Sequence, residues 1–214
     1  FRSILSRRML ALILCAVLIY VNAFTSVKVF AKVCTNQPAF RCTANKQAEA
    51  DQAHNNNLAI TAKAALLIDN ASGRILYAKN KDKKLIPASI TKIMTLLLIF
   101  ESIEQGKCKL EDKVTVSEYA ASMGGSQVFL ESGETQDVNT MIKCISIASA
   151  NDAAVAMAEH LAGSEQSFVK RMNKKAKALG MKHTHFKNCN GLDDSIESGH
   201  YSSAYDVALM SQSL

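Results

Sequence analysis

A chain of 214 residues with 48% hydrophobic and 21% charged residues can bury a substantial core, and one main domain is the expectation. The formal charge of +6 sits at the start: of 25 Lys and Arg, four (Arg2, Arg7, Arg8, Lys28) fall in residues 1–31, which hold no acid, leaving 21 minus 19, or +2, for the rest. The basic excess belongs to the leader, so no nucleic-acid partner is expected.

In chain order, Arg2, Arg7 and Arg8 precede an apolar run from Met9 to Val21, then small residues with candidate cleavage after Ala23 or Ala31. This is the layout of a secretory signal peptide over residues 1–31, which implies export to the outer face of the cytoplasmic membrane or beyond. An uncleaved signal-anchor competes, since Val27, Val29 and Phe30 extend the apolar character, although Asn22 and Lys28 interrupt it. Cys15 follows Leu14 where a lipoprotein site wants a small residue, so lipidation is not expected. Residues 32–62 read as a flexible linker, because Asn36 to Asn57 is rich in Asn, Gln and Ala with little to bury. Order is expected over 63–214, beginning with a hairpin: Ala64 to Asp69, the turn Asn70-Ala71-Ser72-Gly73, then Arg74 to Ala78.

Pro87 and Ala88 lead into Ser89-Ile90-Thr91-Lys92, followed by an apolar helix from Ile93 to Phe100 with no polar face, which must be buried. Three residues apart on a helix lie on one face, so the Lys92 amine can reach the Ser89 hydroxyl. Burial pushes a lysine towards its neutral form, and a neutral amine can activate a serine as nucleophile. Taken alone, the motif also fits a capping serine followed by a solvated lysine. Lys113–Val116 and Gln127–Leu130 read as short strands, with the turn Glu131-Ser132-Gly133-Glu134 after the second.

Ser149 and Asn151 then fall between helical patterns at Val138–Ile147 and Asp152–Leu161, in a tight loop where Ser, Asn and Asp could also serve as caps. Ser164 can cap a helix that stops at Gly180, with Lys170, Arg171, Lys174, Lys175 and Lys177 as a solvated basic face. Ser202 to the end reads as a last helix with Val207, Ala208 and Met210 inward. His183 and His185 alternate as strand neighbours, but no third ligand has metal-site spacing, so no metal or cofactor is expected. Beyond the leader, Cys34, Cys42, Cys108, Cys144 and Cys189 are odd in number and contain no Cys-x-x-Cys, so a disulfide framework is not indicated. Cys34 and Cys42 could close a loop, whereas Cys144 suits a small apolar packing role.

Ser89-x-x-Lys92 followed by Ser149-x-Asn151 resembles the low-molecular-mass penicillin-binding proteins, serine D-alanyl-D-alanine carboxypeptidases. The resemblance runs from about Ala64 to the end and takes in Ile86-Pro87-Ala88-Ser89, Gly124-Gly125-Ser126, Asn151-Asp152-Ala153-Ala154, Asn190-Gly191-Leu192-Asp193-Asp194 and His200-Tyr201-Ser202. It implies Ser89 as the acylated nucleophile, Lys92 as proton acceptor, Ser149 as relay to the leaving D-alanine, and Asn151 as a holder of substrate backbone. The Ser89 backbone N–H would form half of an oxyanion hole. The partners it implies are peptidoglycan stem peptides ending in D-Ala-D-Ala and, as covalent inhibitors, β-lactams; membrane association through the leader or a C-terminal anchor is a further possibility.

The fold so implied is α/β (α+β), β-lactamase/DD-peptidase-like: an antiparallel sheet flanked by helices plus a helical lobe. Residues 63–214 would be the N-terminal part of the catalytic domain, because the family's Lys-Thr/Ser-Gly motif occurs nowhere in the chain; since residue 1 is Phe rather than Met, a truncated start is expected too. Three other readings stay open: a β-lactamase-like enzyme, although no Glu begins a Glu-x-x-Leu-Asn pattern; a serine esterase or amidase; and a non-catalytic β-lactam sensor or scaffold.

Overall fold

The structure, a computed structural model, describes residues 58–192 and 198–214. The leader and residues 32–57, with Cys15, Cys34 and Cys42, lie outside the described residues, as do Asp193 and Asp194. Within the segment read as linker, Ala62 is buried, and Lys79 Nζ donates to the Ile60 carbonyl at 2.6 Å.

The expected hairpin forms from β1 (Ala65–Ile68) and β2 (Ile75–Lys79), antiparallel, with Ala65 opposite Lys79 and Leu67 opposite Tyr77. Its turn is fixed by Asp69, whose Oδ1 accepts from the Ser72 backbone at 2.7 Å and from the Ser72 hydroxyl. A tight 3-10 turn, Ala88–Thr91, then feeds α1 (Lys92–Glu104), in which every residue from Lys92 to Ile99 is buried. A helix with no solvated face has to be wrapped by others, and α1 is.

After α1 come β3 (Lys113–Thr115), the single-turn α2 (Glu118–Ala121) and β4 (Thr135–Asp137), followed by α3 (Val138–Ile147), α4 (Asn151–Ala162), α5 (Glu165–Ala178) and α6 (Ala204–Ser213). β3 and β4 pair antiparallel, Val114 opposite Gln136. Among the described residues the chain thus holds two two-stranded antiparallel sheets. α4 is the second largely enclosed element, buried from Asn151 to Ala158: α1, α2, α3, α5 and β3 all pack on it. Its run Ala153-Ala154-Val155-Ala156 presents small side chains, which lets the neighbouring backbones approach closely. β1 packs on α6, which also packs on α1, and Ala64, Leu66, Ala204 and Ala208 form a small second core there.

Caps set most helix starts. Asp137, Ser164 and Ser203 each accept a backbone N–H of the following turn, from Thr140, Ser167 and Asp206. Ser164 is thus the cap read from the sequence, and α5 ends at Leu179 before Gly180, as expected. The last helix begins at Ala204, two residues later than Ser202, which instead pairs with Leu85 in an isolated antiparallel bridge.

Several expectations are corrected. Gln127–Leu130 is not a strand: the N–H groups of Val128 and Leu130, which a ladder would use, donate to the Asp152 carboxylate at 3.1 Å each, and the pairing falls to the polar Thr135–Asp137 instead. Neither Ser149 nor Asp152 caps α4, because Asp152 is engaged by that loop and Ala150, with no side-chain bond, occupies the cap position. His183 and His185 are not paired on one strand face: the His183 N–H donates to Asp206 Oδ2 in a turn, while His185 bridges Tyr201. Lys175 leaves the basic face of α5 to pair with Glu101 of α1.

Candidate active site

The nucleophile candidate sits where a short, strained approach meets the buried helix. Ala88 has φ +45°, a left-handed conformation costly for a residue with a Cβ. Ser89 follows, half-buried in the 3-10 turn, and Lys92 opens α1 at 3% exposure.

Lys92 Nζ has three oxygen neighbours: Asn151 Oδ1 at 2.6 Å, the Asn190 carbonyl at 2.7 Å and Ser89 Oγ at 3.3 Å. Asn151 and Asn190 offer only acceptors there, so each takes a hydrogen from Nζ. The Asn151 amide is oriented by its other end, since Nδ2 donates to the Gly124 carbonyl at 2.7 Å. A neutral amine has two hydrogens and one lone pair. With both hydrogens committed, the lone pair is directed at the Ser89 hydroxyl, which makes Lys92 an acceptor for that proton.

The electrostatics agree. Burial lowers Lys92 from the ordinary 10.5 to about 8, opposed by Cys189 and Asp152. Burial and the adjacent Glu165 push the Cys189 thiol well above its ordinary range, so near neutral pH Asp152 is the negative charge that acts on Lys92.

Asn151 and Asp152 together hold the wall of the site. The Asn151 N–H donates to the Ser126 carbonyl at 2.7 Å, and Asp152, fully buried, takes Val128 and Leu130. That loop carries Phe129 at φ +59° and 78% exposed, a large apolar side chain presented beside the site. Gly125 is required within it: at φ +73° a Cβ would lie 2.9 Å from Asn151 Nδ2.

The opposite wall is residues 188–192, which overlap the Asn190-Gly191-Leu192 motif quoted above but were given no role in the site. Asn188 Oδ1 accepts the Gly191 N–H at 2.8 Å, Asn190 Oδ1 accepts the Leu192 N–H at 2.8 Å, and the Asn190 carbonyl is left facing Lys92. Thr95 Oγ1 donates to the Cys189 carbonyl, and buried Glu165 accepts both the Cys189 N–H at 3.0 Å and the Tyr119 hydroxyl at 2.8 Å. Beneath the nucleophile turn, Thr91 Oγ1 lies 2.8 Å from His200 Nε2; because Nδ1 accepts from the Lys187 N–H, the ring proton is on Nε2 and points at Thr91.

Of the four residues read from the sequence, Ser89, Lys92 and Asn151 therefore meet. Ser149 lies half-buried at φ +56°, two residues before Asn151, and among the described residues its hydroxyl makes no hydrogen bond to Ser89 or Lys92. The arrangement sets a lysine amine beside a serine hydroxyl at the start of a buried helix, and in its neutral form that amine can take the hydroxyl proton.

The chain is similar to known proteins. The profile of the D-alanyl-D-alanine carboxypeptidase family, Peptidase_S11, matches residues 47–214. Over 167 residues the chain is 58% identical to the D-alanyl-D-alanine carboxypeptidase DacF of Bacillus subtilis, covering 78% of this chain and 42% of that protein. Identity to DacC of Escherichia coli is 41% over 161 residues, 72% of this chain and 40% of that one. Among solved structures, the D-alanyl-D-alanine carboxypeptidase DacD of Francisella tularensis is similar with a TM-score of 0.70 at 37% identity, covering 73% of this chain and 37% of that chain. Penicillin binding protein 5 from Haemophilus influenzae gives 0.67 at 38% identity, covering 71% and 44%. The chain spans about two fifths of the length of these curated relatives. Its fold is the mixed α and β architecture of those structures, as the motifs led us to expect.

Proposed function

The chain belongs to the D-alanyl-D-alanine carboxypeptidase family, and from that premise we propose that it acts as a serine-type carboxypeptidase on peptidoglycan stem peptides ending in D-Ala-D-Ala. The observation that carries the reading is the placement of Lys92 Nζ, with two acceptors taking its hydrogens and Ser89 Oγ 3.3 Å from it.

In this reading Lys92 takes the Ser89 proton as Oγ bonds to the carbonyl carbon of the penultimate D-alanine. The oxyanion that forms is stabilised by the Ser89 N–H at the head of the buried helix. The C–N bond then breaks, and the leaving amine takes up the proton by way of Ser149. Water, deprotonated by the same base, cleaves the ester and frees Ser89. Asn151 keeps one Nδ2 hydrogen beyond the bond to Gly124, and that hydrogen is the donor for a substrate carbonyl. β-Lactams mimic the scissile amide and acylate the same hydroxyl. Export to the cell envelope, directed by the leader, completes the proposal, with membrane association through that leader or an anchor.

Intact mass after incubation with benzylpenicillin tests it, together with D-alanine release from a pentapeptide. A stable adduct mapped to Ser89, lost in Ser89→Ala, supports the reading. An adduct that persists in Ser89→Ala removes the site assignment, and rapid loss of the adduct with penicilloate formation favours a β-lactamase instead.

A further inference from the structure

Away from Ser89, three side chains of metal-binding type converge. One ligand atom from each of Cys108, Asp112 and His160 lies within 4.8 Å of the other two. They reach that point from separate parts of the fold: Cys108 from the connection after α1, Asp112 from the turn before β3, and His160 from the last turn of α4. The packing of β3 on α4 fixes the approach.

Cys108 is buried, Asp112 is half-buried and His160 is exposed, so the cluster is walled on one side and open to water on the other. The carboxylate is held in place, its Oδ2 accepting the Lys109 N–H at 2.8 Å; the thiol has only a 3.7 Å contact with the Lys109 carbonyl.

We propose that Cys108, Asp112 and His160 bind one zinc ion, with solvent water in the fourth position. The donor set decides the metal class: sulfur and imidazole nitrogen with one carboxylate suit zinc, whereas magnesium and calcium take oxygen. Bonds of ~2.0–2.3 Å place tetrahedral ligand atoms ~3.5 Å apart, so a cluster within 4.8 Å closes by at most about an ångström on binding. The exposed His160 side chain supplies that movement. Lys109 N–H supplies the outer contact that orients the carboxylate. Binding forms a Zn–S bond and releases the thiol proton to solvent.

His160 stands nine residues beyond Asn151 on α4, about 14 Å along the helix, and the ion ties the α1–β3 connection to the far end of the helix whose first residue, Asn151, accepts from Lys92 Nζ.

Cobalt(II) titration of the reduced protein tests this, because a Co–thiolate bond gives a near-ultraviolet charge-transfer band that a carboxylate or imidazole alone does not. The expected result is one equivalent of cobalt with that band, displaced by zinc, lost in Cys108→Ser, retained in Cys144→Ser, and weakened at least tenfold in affinity in His160→Ala. His160 is exposed, so its replacement leaves the fold intact and keeps the test decisive if Cys108→Ser is unstable. Zinc should raise the melting temperature of the wild type and not of His160→Ala. Absence of the band in reduced wild-type protein, or a band that survives both Cys108→Ser and His160→Ala, overturns the proposal.

Discussion

Lys92 Nζ lies 2.6 Å from Asn151 Oδ1, across 59 residues of sequence, and this contact converts a helical Ser-x-x-Lys into a directed base. The Asn151 oxygen fixes one hydrogen of the amine and the Asn190 carbonyl a second. What remains on a neutral nitrogen is a lone pair beside Ser89.

The first prediction follows from the proton count. With Lys92 at about 8, roughly a tenth of molecules hold the amine neutral at pH 7. Raising the pH through that value removes the proton, so the acylation rate with benzylpenicillin should climb about tenfold from pH 7 to pH 9 and then level. Asn151→Asp would set a carboxylate against Nζ, favour the charged amine, and move the midpoint to higher pH. Stopped-flow acylation over that range checks both. A flat profile for the wild type, or an unmoved midpoint in Asn151→Asp, contradicts Lys92 as the base.

Gly191 is the tightest point beside the nucleophile turn. A Cβ there would fall 1.8 Å from the Ala88 carbonyl oxygen and 3.0 Å from the Ser89 nitrogen, at φ +83°. Gly191→Ala should therefore push the 188–192 wall off the Ser89 turn, costing about 3 kcal/mol or more. The loss of acylation should exceed what the unfolded fraction explains, because the Asn190 carbonyl moves away from Lys92 with the loop. Urea unfolding measured beside penicillin labelling separates the two effects.

Much of this site was legible because it is local. Three-residue spacing and an apolar run were enough to pair Ser89 with Lys92 at the head of a buried helix, although Ser89 itself sits in the preceding 3-10 turn, and Ser164 announced α5. Non-local chemistry left no such mark. The Asn190 group that matters is a backbone carbonyl, which any residue would supply. Val128 and Leu130 alternate as strand residues do, yet Asp152, more than twenty residues on, takes their N–H groups and leaves the ladder to Thr135–Asp137. Cys108, Asp112 and His160 are joined by the packing of β3 on α4, and spacing along the chain carries no trace of it.

Asp152 gives the next test. It is fully buried, and its Oδ2 alone receives two backbone N–H groups of the Gln127–Leu130 loop. Asp152→Ala leaves the half-buried Val128 and the buried Leu130 N–H groups without that partner and should cost about 2–4 kcal/mol. Asp152→Asn keeps one oxygen to face the loop and should cost less, while removing the negative charge that raises Lys92; its acylation midpoint should therefore shift to lower pH. Thermal unfolding ranks the two variants, and equal destabilisation would show that the loop bonds are not what Asp152 contributes.

The buried amine also carries a stability signature that is independent of catalysis. Lys92 is lowered from 10.5 in the unfolded chain to about 8 in the fold, so between those values the unfolded state binds the extra proton. Stability then rises with pH across that window, is fully present above about 10.5, and is lost as the pH falls through about 8. The difference of about 2.5 units corresponds to about 3 kcal/mol. Lys92→Met abolishes that dependence, though it leaves Asn151 Oδ1 and the Asn190 carbonyl without their donor. Subtracting its unfolding free energy from the wild type's cancels the titrations common to both, and the difference should move in the wild type's favour by up to about 3 kcal/mol on going from pH 7.5 to pH 10.5. A difference that stays constant over that range would mean that Lys92 titrates in the fold as it does in the unfolded chain, and the amine would then be charged at neutral pH and unable to serve Ser89 as a base.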